Sequence, residues 1–298
     1  MIQPSKSQPE NGAVAPVSNL QRLWEHDGFA LTLQLPPIFT PQAQDIIARA
    51  ARLIRGADAV LVADAPDGMI ALSSIAVAVL FERAGLPTIV QIHGRDKNRL
   101  ALQGEILGLG ALNIPNVLVD TRTVSRASLG RHADARLVGD LDGPTLLATA
   151  ARLRDKARFL SGASIKAPPA FYLGALIDLE EPLLSEKLMA AQFLATAPLS
   201  DYQSSFETLS SFLAAHADFL RSRPLLVSVP FAGGSRAEYG SLHAHAGGMD
   251  EERLGEMVRL LQRLPGVRGC NIVIQHLDGL AMIERTLSSD LFHLERRE

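Results

Sequence analysis

Three aspartates stand where an apolar strand-like run gives way to a loop: Asp64 after Ala59 to Ala63, Asp96 after Thr88 to Ile92, and Asp120 after Asn116 to Val119. A carboxyl group at such a place is a candidate acid or base. Asp96, in Arg95-Asp96-Lys97-Asn98, also reads as the cap of the helix that follows. His243-Ala-His245 puts two imidazoles on an extended segment. No third ligand follows at a fixed spacing, because Asp250 and Glu252 fit the start of the next helix, so no metal is assigned. Pro230-Phe-Ala-Gly-Gly-Ser235 is either a phosphate-binding turn or a plain flexible one. His276 ends a strand, where it is either a proton relay or a hydrogen-bonded structural histidine. Ser73-Ser74 precedes an apolar run and reads as a helix start, and no Gly-x-Ser-x-Gly elbow is present. Cys270 lies inside an apolar strand and reads as inert core.

These residues must be positioned by an alternation of strands and helices. Ser18 caps a short helix carrying Leu20, Leu23 and Trp24, suited to plugging one end of a larger fold. The strand Phe29–Leu35 stops at Pro36-Pro37. Thr40, with Pro41 behind it, starts a helix reaching Arg55. Further strands are expected at Ala59–Ala63, Thr88–Ile92, Asn116–Val119, Phe171–Ala175, Phe193–Thr196, Pro224–Pro230 and Arg268–Gln275. Helices are expected at Ser73–Ala84, Lys97–Leu112, Pro144–Lys156, Glu180–Met189, Ser204–Ala215, Met249–Leu264 and Leu277–Leu287. Gly104 and Gly108 share a helix face, which suggests close packing of that helix on its neighbours.

Eight strands alternating with helices over this length fit an α/β fold of one kind: a single (β/α)8 TIM barrel, residues 17–298, with a short N-terminal helix and a flexible N-terminal tail, residues 1–16. An open doubly wound sheet would want a Gly-rich turn after its first strand, where this chain has Pro36-Pro37. The active site of such a barrel lies at the carboxyl ends of its strands.

Composition excludes several classes. With 29 basic against 32 acidic side chains the chain has no basic field for nucleic acid. No apolar run approaches the ~18 residues of a membrane span. One cysteine cannot form an internal disulfide, and the first sixteen residues lack an apolar signal core; both point to a cytoplasmic protein.

The stretch Pro87 to Asp120 is distinctive. Its Arg95-Asp-Lys-Asn-Arg99, Leu102-Gln103 and Leu112-Asn-Ile-Pro-Asn-Val-Leu118 resemble the unit from third to fourth strand of the methylenetetrahydrofolate reductase family. Gly28-Phe-Ala-Leu-Thr-Leu-Gln-Leu-Pro-Pro37 resembles that family's first strand. Residues 56–66 resemble its second strand and loop, and Lys187 to Thr196 its segment leading into strand six. The resemblance implies a barrel that carries FAD and passes a hydride from NAD(P)H to 5,10-methylenetetrahydrofolate. It implies flavin contacts at Gln91, His93, Thr121, Arg122 and Lys187, and folate contacts at Gln34, Thr196 and His276. The departures are specific. The family's folate-activating Glu, three residues before Pro-Pro, is replaced by Leu33 with Gln34 beside it, and its Gly-Asp pair after strand four by Arg122-Thr123. Gln34 can hydrogen-bond a pterin but cannot protonate it. Asp64, Asp96 and Asp120 are the replacement acids on offer, with Asp120 set beside Gln34 as catalytic. Arg122 suits an anionic group such as a folate glutamate tail or a phosphate. The alternative is a flavin-free, folate-binding relative that transfers a methyl or one-carbon group, or a non-catalytic partner subunit. A homo-oligomer is compatible with either.

Overall fold

The computed structural model describes residues 18–53, 56–124, 129, 134–183, 185–199, 202–231, 249–275, 279 and 283. Eight parallel strands close a barrel in chain order: β1 (Ala30–Gln34), β2 (Ala59–Val62), β3 (Thr88–Ile92), β4 (Asn116–Asp120), β5 (Tyr172–Ile177), β6 (Phe193–Thr196), β7 (Leu225–Phe231) and β8 (Val267–Ile274). The α/β barrel expected from the sequence is therefore the fold. Closure is made by β1 on β8, with Ala30 opposite Gly269 and Gln34 opposite Val273.

The strands are near-continuous apolar runs because both their faces are covered. One face packs outward on helices: Leu31, Leu33 and Leu35, or Cys270, Ile272 and Ile274, join the larger core cluster. The other points into the barrel, where Ala30, Leu61, Ile89, Leu118, Phe193 and Leu226 meet. Gly269 lies on this inner face, because a Cβ there would meet Leu226 and Ala30.

Helix α1 (Asn19–Glu25) is capped by Ser18, whose Oγ accepts from Gln21 N–H at 2.8 Å. It closes the amino end of the barrel. Leu20 and Trp24 are buried in the interior cluster; the Trp24 ring lies 5.9 Å from Tyr172 and 5.4 Å from Phe193, and its indole N–H donates to the Arg268 carbonyl at 2.8 Å. Burial pushes the Tyr172 phenol up to about 12, with the Glu25 carboxylate adding to it.

The remaining helices are α2 (Gln44–Leu53), α3 (Ser74–Arg83, capped by Ser73), α4 (Arg99–Ala111), α5 (Gly143–Lys156, capped by Asp142), α6 (Tyr202–Ala215), α7 (Ala217–Leu220) and α8 (Glu251–Leu261, capped by Asp250).

Three expectations are corrected. Helix α2 starts at Gln44, and the Thr40 hydroxyl instead closes a turn on Gln42 N–H at 3.2 Å. No α-helix spans Glu180–Met189. The Asp178 carboxylate closes a turn on Glu180 N–H, and only a 3-10 turn, Ser185–Leu188, forms; Pro182 inside the span has no N–H to give and bars the helical conformation before it. A Cβ at Gly104 or Gly108 would meet nothing within 4 Å; it is Gly110 where a Cβ would run into Pro169. The tail, Gly233-Gly234, His243, His245, His276 and the expected helix Leu277–Leu287 lie outside the described residues, Gly279 and Ile283 excepted. No described helix is long and apolar enough to cross a membrane.

Candidate active site at the barrel mouth

Strand parity decides what reaches the interior. On β1, Ala30 and Thr32 face inward, so Gln34 does too, while Leu33 is buried against the helices. The position three residues before Pro-Pro therefore points out of the barrel, and its neighbour Gln34 holds the inner place.

Below Gln34 lies a polar layer. Thr32 Oγ1 donates to Asn271 Oδ1 at 3.0 Å; Asn271 Nδ2 donates to Ser228 Oγ at 3.1 Å and to Gln34 Oε1 at 3.4 Å. Thr32, Ser228 and Asn271 are all buried. Each polar atom there needs a partner, and the three residues supply them to one another. Gln34 thus has its carbonyl end held from beneath. Gln275, one residue past β8 and in phase with Asn271, has a buried Nε2 with no hydrogen-bond partner. Strands β1 and β8 are paired, so Gln34 and Gln275 stand on neighbouring staves.

Across the mouth, Gln91 Nε2 donates to Asp120 Oδ2 at 3.1 Å. An ionised carboxylate only accepts, which fixes the amide: nitrogen toward Asp120, Oε1 away from it. Arg122 grips the same carboxylate with Nε at 2.9 Å and Nη2 at 2.7 Å, and its backbone N–H adds a contact at 3.2 Å. Both oxygens of the Asp120 carboxylate are thus engaged.

A second polar group sits over β2 and β3. His93 is buried beyond Gln91, with Arg95 Nη2 at 3.1 Å and Asp64 Oδ2 at 3.4 Å from its Nε2. Arginine only donates, so Nε2 accepts and the neutral ring carries its proton on Nδ1. Nδ1 is buried without a hydrogen bond; Asp96 Oδ1 is 3.7 Å away. Burial holds His93 below its ordinary pKa, and the Asp64 carboxylate pulls the other way. Lys97 donates to Asp64 at 2.7 Å and to Glu105 at 3.1 Å. Burial works against its charge, but Asp64 and Glu105 outweigh it and hold Lys97 above the ordinary lysine value. Glu105 is pushed up by its own burial, with Lys97 opposing. Asp96 does not cap α4. Asn98 does, accepting from Leu100 and Ala101 N–H at 3.0 Å each, while Asp96 pairs with Arg95 at 3.0 Å. Neither Asp64 nor Asp96 is an unengaged acid.

Ala65, just past Asp64, is in the left-handed region (φ 41°, ψ 58°), a conformation that costs a non-glycine residue roughly 1–2 kcal/mol. Its carbonyl accepts from Arg95 Nη2 at 3.2 Å.

The other residues named from the sequence are scattered. Thr121 spends its hydroxyl on the Leu176 carbonyl at 2.7 Å. Thr196 is buried and its Oγ1 accepts from Ser228 N–H at 2.9 Å, so it stitches β6 to β7 and does not face the mouth. Lys187 is exposed on the 3-10 turn between β5 and β6, two residues from Met189, whose carbonyl takes Arg223 from the loop entering β7. That places Lys187 toward the amino-end side. Cys270 is fully buried, and burial pushes its thiol up. Among the described residues no three His, Cys, Asp or Glu side chains are grouped to hold a metal.

Gln34, Gln91, Asp120 and Arg122 are thus brought to the mouth, and Thr196 and Lys187 are not. Of the five residues the resemblance assigns to a flavin, Gln91 and Arg122 stand at the mouth, His93 is enclosed in an ion cluster, the Thr121 hydroxyl is spent on the backbone and Lys187 lies outside the mouth. Asn271 is not singled out in the sequence, and Gln275 only as the end of the eighth strand. Their signal is the two-residue spacing Gly269, Asn271, Val273, Gln275, readable once Gly269 is known to face inward.

No family model and no curated protein matches the chain in sequence. Solved structures do match in fold. An uncharacterized protein from Clostridium thermocellum that binds two copies of 5-methyl-5,6,7,8-tetrahydrofolic acid superposes with a TM-score of 0.57 at 10% identity, over 91% of this chain and 98% of that one. EDTA monooxygenase from Chelativorans sp. BNC1 gives 0.54 at 10% identity, over 88% and 93%. 2,3-Dimethylmalate lyase, of the PEP mutase/isocitrate lyase superfamily, gives 0.51 at 14%, over 93% and 85%. At these identities the likeness is one of fold.

Proposed function

We propose that the barrel mouth binds a folate-type pterin for one-carbon chemistry, through neutral amides in place of an acid. One observation carries this reading: Gln34 and Gln91 each have one end of the amide held from behind, by Asn271 and by Asp120. What they turn to the mouth is a donor, Gln34 Nε2, and an acceptor, Gln91 Oε1. Gln275 adds the unpartnered donor Nε2. A pterin carries acceptors, its carbonyl and unprotonated ring nitrogens, beside amino and ring N–H donors, and so can meet two donors and one acceptor at once. The resemblance through Pro87–Asp120 and the likeness in fold to a barrel that binds a methyl-folate support the same ligand class.

The resemblance also implies FAD and hydride transfer from NAD(P)H. The flavin-free alternative is preferred here because Thr121, His93 and Lys187 are engaged or turned elsewhere. Gln34 has no proton to deliver, and both oxygens of Asp120 are taken up by Arg122 and Gln91. Binding, or transfer of a one-carbon group that needs no acid from these residues, is what remains to the site.

The test is calorimetric titration of the full chain with 5-methyltetrahydrofolate and with folic acid, alongside its visible spectrum and an NADH-oxidation assay with 5,10-methylenetetrahydrofolate. Folate binding by a colourless protein that leaves NADH unoxidised is expected. Absence of folate binding overturns the proposal. A yellow protein that oxidises NADH replaces its flavin-free form with the reductase.

A further inference from the structure

A second cavity, of about 600 Å³, lies off the mouth on the carboxyl side of β2–β4. That volume falls within the ~300–1,000 Å³ of small-molecule sites. Met69, Ile70 and Leu129 give it an apolar side. Ile70 is 74% exposed, unusual for an isoleucine with nothing to cover it. Asp134 and Arg136 line the same space, and neither makes a hydrogen bond or ion pair with any described residue. Arg95 and Asp96 complete the lining as a pair already joined to each other. The unengaged charges are therefore one of each sign. They are two residues apart in sequence, so their Cα atoms are at most about 7 Å apart.

We propose that this cavity binds a free α-amino acid with an apolar side chain. The ammonium meets Asp134, the carboxylate meets Arg136, and the side chain lies on Met69 and Ile70. A simple anion would face the repulsion of Asp134 and Asp96, and a simple cation that of Arg136 and Arg95; a compact zwitterion satisfies both signs at once. A long zwitterion would overreach the two neighbouring charges. The site does not rest on the folate reading, and either can fail alone.

The experiment is calorimetric titration of the full chain with L-leucine, L-methionine and L-phenylalanine. Isopentylamine, which lacks the carboxylate, and 4-methylpentanoate, which lacks the ammonium, serve as controls. At least one amino acid should bind, and each truncated analogue should bind about tenfold more weakly or worse. Asp134→Asn should weaken binding of the amino acid and, by removing a like charge, leave 4-methylpentanoate bound as well as before or better. Arg136→Gln should weaken it and leave isopentylamine bound as well as before or better. Both side chains are exposed, so the variants should retain the parent melting temperature, which is checked first. No heat with any of the three amino acids at millimolar concentration, or analogues that bind as well as the amino acid, overturns the proposal.

Discussion

Replacing Gln91 by Glu tests the geometry on which the mouth depends. The change is nearly isosteric and puts a second carboxyl group against Asp120, 3.1 Å from the present amide nitrogen. Two full negative charges at that distance repel by about 5 kcal/mol at an effective dielectric near 20. Arg122, already forked onto Asp120, offsets roughly half, which leaves a cost of about 2–3 kcal/mol with both ionised. The folded protein avoids that cost by keeping a proton on the pair, so the new glutamate has a raised pKa in the fold. A group with a raised folded pKa contributes stability that is present below its unfolded value, near 4.3, and lost as pH rises through the folded value. Urea denaturation of wild type and Gln91→Glu across pH 4 to 8 should give a stability difference near zero at the acid end. It should open to about 2–3 kcal/mol by pH 8. A difference that is the same at every pH would show that residue 91 does not face Asp120, and the amide array at the mouth would fall with it.

Other substitutions follow from the same contacts. Trp24→Ala should cost about 3–5 kcal/mol of unfolding free energy by denaturant titration, since it removes a buried ring from Tyr172 and Phe193 and leaves the Arg268 carbonyl without its donor; a loss under about 1 kcal/mol would mean α1 is not the plug. Asn271→Leu orphans the Thr32 and Ser228 hydroxyls and releases Gln34; folate affinity by calorimetry should fall about tenfold, and an unchanged affinity would separate Asn271 from the site. Lys187→Ala should leave that affinity within about twofold, because the side chain lies outside the mouth; a larger loss would bring Lys187 back into the site. His93, depressed by burial, resists protonation in the fold more than in the unfolded chain, so its stabilising effect is present above about pH 6.5 and declines as pH falls below it. His93→Gln should flatten stability against pH in that window, and an unchanged slope would contradict the burial of the ring.

The strands were legible because each is a short apolar run bounded by Pro, Gly or a polar turn; Thr88–Ile92 and Phe193–Thr196 come out at their expected limits. The plug was legible in Ser18 and the spacing of Leu20 and Trp24. Where two signals competed, the sequence did not say which would win. Both Asp96 and Asn98 can cap α4, and the pull of Arg95 on Asp96 leaves the cap to Asn98. Apolar periodicity suggested a helix over Glu180–Met189, and one proline removed it. At the mouth the limit was phase: an error of one residue exchanges Leu33 for Gln34, and only the barrel interior tells which is inside. Lys187 was placed by resemblance across a connection whose path the sequence does not give.

The seam between β1 and β8 joins residues some 240 positions apart, as in Thr32 to Asn271. At synthesis rates of ~5–20 residues per second, β8 leaves the ribosome roughly 10–50 s after β1. For that interval β1 presents an open, apolar edge to other nascent chains. The newborn protein is thus a customer for holding chaperones until its last stave arrives, and a translation extract stripped of them should yield aggregate in place of barrel.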